Sequence, residues 1–158
     1  MRTIFGTVLG SVIAFTALGC SPKPVSVGTQ PKDEHDHPEI GPHKGAIAEW
    51  GDHDYILEFT VDHDAKEATV YVLDGKAKDA KPIPSKTLTL SLKQSPPVTF
   101  SLEAKPQTGD PSGQSSRFVG KHDAIAEKKE FAGTLSGDVA GKKFSGAFKE
   151  GAHDDHKH

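Results

Sequence analysis

HDHPEIGPHKGAIAEWGDHDYILEFTVDHDAKEATVYVLD, residues 35–74, is the stretch that decides the fold. Successive side chains of a β-strand point to opposite faces, so a period of two is typical of a half-buried strand. Residues 55–61 have this period, with Tyr55, Leu57, Phe59 and Val61 on one face and Ile56, Glu58 and Thr60 on the other. Polar turns carrying His53 and His63 flank this segment. The stretch therefore predicts β-strands with imidazoles in the turns.

The rest of the chain repeats this pattern in short segments. Strands are predicted at 45–50, 55–61, 68–73, 87–92, 98–104, 117–119, 131–139 and 144–148. One or two short helical turns are predicted over 123–129, with Asp123 as the N-cap. Seven or eight short strands without long helices predict an all-β fold, a single small immunoglobulin-like β-sandwich over residues 43–149. A buried face is predicted for Leu57, Phe59, Leu88, Leu90, Phe100, Phe144 and Phe148.

Composition and charge restrict the function. The 158 residues, 34% of them hydrophobic, suffice for one small domain with tails. The 19 basic and 22 acidic residues are interspersed, so no continuous basic face is expected and no nucleic-acid partner is predicted. Neither a nucleophile-elbow motif nor a phosphate-binding loop is present, and we do not expect an enzyme.

The N-terminus predicts where in the cell the protein is located. Residues 1–19 combine a positive start with an uncharged apolar run, as in a secretory signal peptide. The run ends in Ala17-Leu18-Gly19-Cys20, which resembles the bacterial lipobox and predicts lipidation of Cys20. A plain transmembrane anchor is the alternative, although a span needs ~20 apolar residues. We therefore expect an envelope protein anchored by lipid and facing the periplasm, and Ser21 favours the outer membrane.

Beyond the cysteine, residues 20–42 form a tether with five prolines. Because Cys20 is the only cysteine, lipidation would leave neither a thiolate ligand nor a disulfide. The other end of the chain, residues 150–158, is a tail rich in histidine and aspartate. Both flanking segments are predicted to lie outside the packed domain.

The nine histidines suggest metal chemistry. Neutral imidazole is the commonest protein ligand for late first-row metals, and imidazole with carboxylate but no thiolate suits Zn²⁺ or Cu²⁺. Pairing residues 45–50 with 55–61 through a turn at 51–54 makes opposite residue numbers sum to about 105, which brings His43 towards Asp62 and His63. The predicted ligands are His43, Asp62, His63 and Asp64, joined by His35 and His37 of the tether, with a weaker second site at His153, His156 and His158.

Another interpretation is that these histidines are polar residues of solvated turns and tails, without a ligand. No fixed zinc-ligand spacing is matched. The chain would then be a structural or protein-interaction lipoprotein of the cell envelope.

A family resemblance favours the metal interpretation. The segments GPHKGAIAEWGDHDYILEFTVD and ATVYVLDGKAKDAKPIP resemble the small β-domain of His-rich bacterial envelope lipoproteins and of periplasmic adaptor subunits of heavy-metal efflux pumps. The matching positions are Gly41, Pro42, His43, Gly45, Glu58, Tyr71, Leu73, Asp74, Pro82 and Pro84, while Lys44 stands where glycine is usual. The resemblance implies a role in metal homeostasis or efflux, with envelope metal-handling proteins as partners.

Overall fold

The structure, a computed structural model, describes residues 40–151 and is all-β. The eight strands are β1 (Ala46–Trp50), β2 (Tyr55–Asp62), β3 (Glu67–Leu73), β4 (Thr87–Leu92), β5 (Val98–Ala104), β6 (Arg117–Lys121), β7 (Ala132–Val139) and β8 (Lys142–Lys149). A 3-10 helix, Asp123–Ala126, follows β6. The predicted all-β class is confirmed, and eight is the higher of the two predicted strand counts.

Hydrogen bonds connect all eight strands into one antiparallel sheet with the order β1-β2-β3-β6-β5-β4-β7-β8. The outermost strands approach each other so closely that a Cβ added to Gly146 of β8 would lie 2.2 Å from the Glu49 carbonyl oxygen of β1. Trp50 also reaches across this seam, where its indole N–H donates to the Leu135 carbonyl at 3.0 Å. The sheet therefore curls almost completely around a shared interior.

The predicted register of the first hairpin is confirmed. Ala46 lies opposite Phe59, and Trp50 lies opposite Tyr55. Because the side-chain period of a strand is two, this register assigns each residue to its face. Leu57 and Phe59 point inward, as expected, into one cluster that receives side chains from every strand. Phe100 is the exception among the predicted core residues, since it is only partly buried and packs at the margin of the cluster.

Strand β2 is buried on both faces, which corrects the half-buried prediction. Its outward-facing Ile56 and Glu58 are as inaccessible as the inward-facing Leu57. Part of the cover is the loop after β3, where Ala77 packs with Ile56 and Leu73 in a second small cluster. The role of this loop as a cover of the outer face was not apparent from the sequence.

The aspartate that begins this loop holds it in shape. One Asp74 carboxylate oxygen accepts backbone N–H bonds from Lys76, Lys78 and Asp79. The bond from Lys78, with those from Asp79 and Lys76, holds the pKa of Asp74 below its ordinary value although burial opposes this. The carboxylate therefore replaces the acceptors that a strand partner would provide.

Backbone contacts of the domain extend to residues just outside 43–149. Ile40 forms a bridge to Ala46, and Gly41 is buried. At the other end, Glu150 donates its backbone N–H to the Phe131 carbonyl at 2.9 Å. Ile40, Gly41 and Glu150, which were assigned to the tether and the tail, thus pair with the backbone of the domain.

The cap of the 3-10 helix differs from the prediction. The N-cap is His122, whose Nδ1 accepts from the Ala124 N–H at 3.1 Å. The predicted cap, Asp123, instead accepts a bond from Lys66 Nζ at 2.8 Å. The helix begins at Asp123 itself, so its carboxylate lies one position too late to cap.

Burial of Leu90 makes it a direct test of the core. Leu90→Ala should lower the free energy of unfolding by about 2–5 kcal/mol, because the side chain is fully inaccessible and its removal leaves a cavity. The matched control is Thr87→Ala at the exposed start of the same strand, expected within about 0.5 kcal/mol of the parent. Urea unfolding measures both variants, and equal losses would contradict the assignment of faces.

Candidate functional site

A buried carboxylate organises the turn that precedes β1. Glu58 is 0% exposed, and its Oε1 accepts the backbone N–H groups of His43 at 2.6 Å and Gly45 at 2.8 Å. Its Oε2 lies 2.7 Å from Nδ1 of the His43 ring. Because an ionised carboxylate only accepts hydrogen bonds, His43 Nδ1 is the donor. We call the group formed by Gly41, His43, Gly45, Glu58 and Tyr71 the Glu58 clasp.

The glycines of the clasp leave space for the carboxylate. A Cβ on Gly41 would lie 2.3 Å from Glu58 Cδ, and one on Gly45 would lie 2.3 Å from the Phe59 carbonyl oxygen. Lys44 between them has φ 64°, a left-handed conformation that glycine adopts at lower cost. The turn therefore holds a lysine in a backbone conformation that favours glycine.

Tyr71 fixes the plane of the imidazole. Its ring stacks on His43 with centroids 3.7 Å apart and planes inclined by 5°. With Nδ1 bound to Glu58, the neutral ring has its lone pair on Nε2, and the His43 side chain is 43% exposed. The clasp thus presents one oriented nitrogen that can bind a metal ion.

His63 also carries its ring proton on Nδ1, but its neighbours differ from those of His43. Its Nδ1 lies 2.8 Å from the Ile125 carbonyl oxygen, which can only accept, so the proton is on Nδ1. The ring stacks against Phe131 with a centroid distance of 6.0 Å. In the neutral ring Nε2 again carries the lone pair.

His122 is the opposite tautomer, with its ring proton on Nε2. Since its Nδ1 accepts the Ala124 N–H, the neutral ring carries its proton on Nε2 and has no second lone pair to offer. Next to it, the hydrogen bond and charge of Lys66 hold the pKa of Asp123 below its ordinary value. Both side chains are committed to structure, so His122 is a suitable internal control for the other histidines.

The structure does not assemble the four predicted ligands of the domain into one group. His43 contacts the outer face of the sheet through Glu58 and Tyr71, whereas His63 contacts Ile125 and Phe131 of the interior cluster. The cause is the turn at 41–45, which folds His43 back over the sheet instead of continuing the line of β1.

The two aspartates have local partners. Asp62 Oδ1 accepts the Ala65 N–H at 2.8 Å, and Asp64 Oδ1 lies 3.4 Å from Lys128 Nζ. Within residues 40–151, no three His, Cys, Asp or Glu side chains are grouped so that they could hold a metal ion. The remaining predicted site residues lie outside the described residues: Cys20, His35, His37, His153, His156 and His158.

Glu58 and Tyr71 belong to the site although the sequence did not single them out as site residues. A signal was present, because Glu58 is the one charged residue inside the apolar segment at 55–61. A carboxylate at such a position requires donors, and a glycine-flanked turn is a suitable source of backbone N–H groups. The resemblance pattern contained both residues, but sequence spacing did not reveal their contact with His43.

Comparisons with known proteins add no relative. No family model, curated protein or solved structure matches the chain. The resemblance to efflux adaptor domains stays a prediction. Over the described range, 40–151, no helix is both long and apolar enough to cross a membrane.

Replacement of Glu58 tests the clasp. Glu58→Ala should lower the free energy of unfolding by about 2–6 kcal/mol, because two backbone N–H groups lose their acceptor at ~1–3 kcal/mol each. Glu58→Gln should cost less, since one carbonyl oxygen can still accept both N–H groups. Urea unfolding measures these variants together with Glu49→Ala, which removes an exposed carboxylate on β1 and serves as the control. A Glu58→Ala variant as stable as Glu49→Ala would refute the clasp.

Proposed function

We propose that this chain is a lipid-anchored, periplasm-facing envelope protein that binds Zn²⁺ or Cu²⁺, as a metal buffer or an accessory to metal homeostasis. The observation that carries the proposal is the state of His43. A buried carboxylate holds Nδ1 at 2.7 Å, and a stacked tyrosine fixes the ring while the side chain stays 43% exposed.

Ordered ligands of metals in proteins have this arrangement. A metal-binding histidine usually donates its other ring N–H to a carboxylate or a carbonyl, which fixes the tautomer and makes the binding nitrogen more basic. In this chain Glu58 is that carboxylate, and it is itself held by two further bonds from the turn. Imidazole and carboxylate groups without thiolate favour Zn²⁺ and Cu²⁺ among the available ions.

One imidazole does not hold an ion, so further ligands must come from the chain beside it. His35 and His37 lie eight and six residues before His43. Six residues of extended chain span up to about 20 Å, which is ample for both rings to reach Nε2 of His43. Three imidazoles would leave a fourth position open, as in zinc sites that exchange a ligand.

Such a site is suited to reversible binding. Closing two ligands of a tether around an ion loses conformational entropy, which lowers affinity relative to a fully preformed site. Acidification also releases the ion, because imidazole binds metals only in its neutral form. Moderate affinity and release on acidification both suit a protein that stores metal or passes it on.

The test is calorimetry of the full chain with Zn²⁺ and Cu²⁺. We expect His43→Ala to weaken the tighter binding phase at least tenfold, and Glu58→Gln to weaken it about 10–100-fold because the ring loses its orienting carboxylate. His122→Asn is the control, since asparagine preserves the helix cap and His122 offers no second lone pair.

Circular dichroism of each variant establishes that the β-domain remains folded, and the parent should keep its β-rich spectrum in a chelator. Equal affinities for the parent, His43→Ala and Glu58→Gln would exclude the clasp as a metal ligand. A parent that binds neither ion at micromolar concentration would favour the structural or protein-interaction lipoprotein instead.

The proposed address has its own test. Cys20→Ala should abolish membrane association, because it removes the sulfur to which the lipid is attached, and burial of acyl chains provides ~0.8 kcal/mol per CH₂. Ser26→Ala, within the same tether, is the matched control and should remain in the membrane fraction. Metabolic labelling with palmitate and cell fractionation measure the outcome. Membrane-bound wild-type protein without palmitate would contradict lipid anchoring.

A further inference from the structure

The 3-10 helix Asp123–Ala126 contributes one side chain to the interior. Its Ile125 is 0% exposed and belongs to the core cluster. Two histidines hold the backbone of the helix. His122 Nδ1 accepts the Ala124 N–H at 3.1 Å, and His63 Nδ1 donates to the Ile125 carbonyl oxygen at 2.8 Å. The helix is therefore attached to the domain through one imidazole that accepts a hydrogen bond and another that donates one.

These two imidazoles respond differently to acid. A neutral imidazole has one donor and one acceptor nitrogen, whereas the protonated ring has two donors. The His63 bond survives protonation, because Nδ1 donates in both states of the ring. The His122 bond does not survive, because the lone pair that accepts the Ala124 N–H is replaced by a second N–H. Acid therefore removes the cap of the helix and leaves its other attachment intact.

The neighbours of His122 keep its ring in place. The ring stacks on Phe100 of β5, with centroids 4.9 Å apart and planes inclined by 19°. The face of an aromatic ring also attracts a cation, so this contact persists when the imidazole is charged. The His122 backbone N–H donates to the Lys66 carbonyl oxygen at 3.0 Å. Rotation of the ring cannot restore the cap, since neither nitrogen of a protonated imidazole accepts a hydrogen bond.

The charged groups beside His122 form two ion pairs. Lys66, Lys121 and Asp123 line the same cleft as the imidazole, while β5 contributes its uncharged aromatic ring. Lys66 Nζ of the β2–β3 turn lies 2.8 Å from the Asp123 carboxylate, and Lys121 Nζ of β6 lies 3.5 Å from the Glu67 carboxylate of β3. The charges of each pair balance, so the cleft gains a net positive charge only when His122 is protonated.

We propose that His122 is an acid-sensitive cap, and that its protonation opens the segment 123–130 and exposes Ile125 while the sheet stays folded. Histidine is the side chain that ordinarily changes charge between about pH 5 and about pH 8. Residues 126–130 are all exposed, so few contacts hold this segment once the cap is lost. The bond from His63 to the Ile125 carbonyl serves as the hinge. The device does not depend on metal binding, because every group in it belongs to the described domain.

Amide hydrogen exchange of the full chain, measured with a chelator present at about pH 8 and about pH 5, tests the cap. The Ile125 N–H donates to the His122 carbonyl at 3.0 Å and reports on the helix. Its protection factor, corrected for the intrinsic exchange rate, should fall about fivefold in acid, because a helix cap changes the equilibrium by about that factor. The fall should follow the titration of the His122 ring signals. The Leu90 amide in β4 should keep its protection, which separates local opening from unfolding of the domain.

Two substitutions provide a cap that does not titrate in this range. His122→Asn and His122→Asp both supply a side-chain oxygen that is preferred at helix N-caps, and each should keep the Ile125 protection factor nearly constant. His122→Ala has no acceptor and should show, already at the higher pH, the low protection that the parent shows in acid. An unchanged protection factor in the parent, an equal fall in the asparagine and aspartate variants, or an equal fall at Leu90 would overturn the proposal. None of these results bears on metal binding by His43.

Discussion

Full burial of the Glu58 carboxylate is the constraint on which the first part of the domain depends. A carboxylate removed from water is costly unless its oxygens are paired, and here three donors come from one short turn. The turn must therefore fold back onto the sheet, and its glycines must leave the space that Glu58 occupies. This turn covers Glu58, while the loop after β3 covers Ile56 on the same outer face of β2.

Pairing of the buried Glu58 carboxylate also orients the His43 imidazole. Pairing Glu58 with the His43 ring satisfies the carboxylate, and the same contact fixes which ring nitrogen carries the proton. Stacking on Tyr71 adds a fixed plane at 3.7 Å. The imidazole that supports the fold thereby gains the fixed orientation that a ligand requires. His122 is the opposite tautomer, because its Nδ1 accepts a backbone N–H as a helix cap.

Closure of the sheet decides where the flanking segments attach. Eight strands of strictly alternating direction return the chain to the side on which it began. The described chain therefore begins at Ile40 and ends at Gly151 on the same end of the domain, the end that also carries the β2–β3 turn with His63. His53 lies at the opposite end, next to the last residue pair of the first hairpin. Topology alone thus places His53 and His63 at opposite ends of β2.

The sequence by itself determined the strands, because alternation of apolar and polar residues is local: TLTLSL is β4 with its predicted bounds, and the first hairpin has its predicted register. Contacts between distant residues decided the rest. The same alternation did not reveal that a loop and a turn cover β2, or that His43 turns towards Glu58 and away from His63. Those outcomes depend on which buried polar groups find donors, and that pairing exists only once the chain has folded.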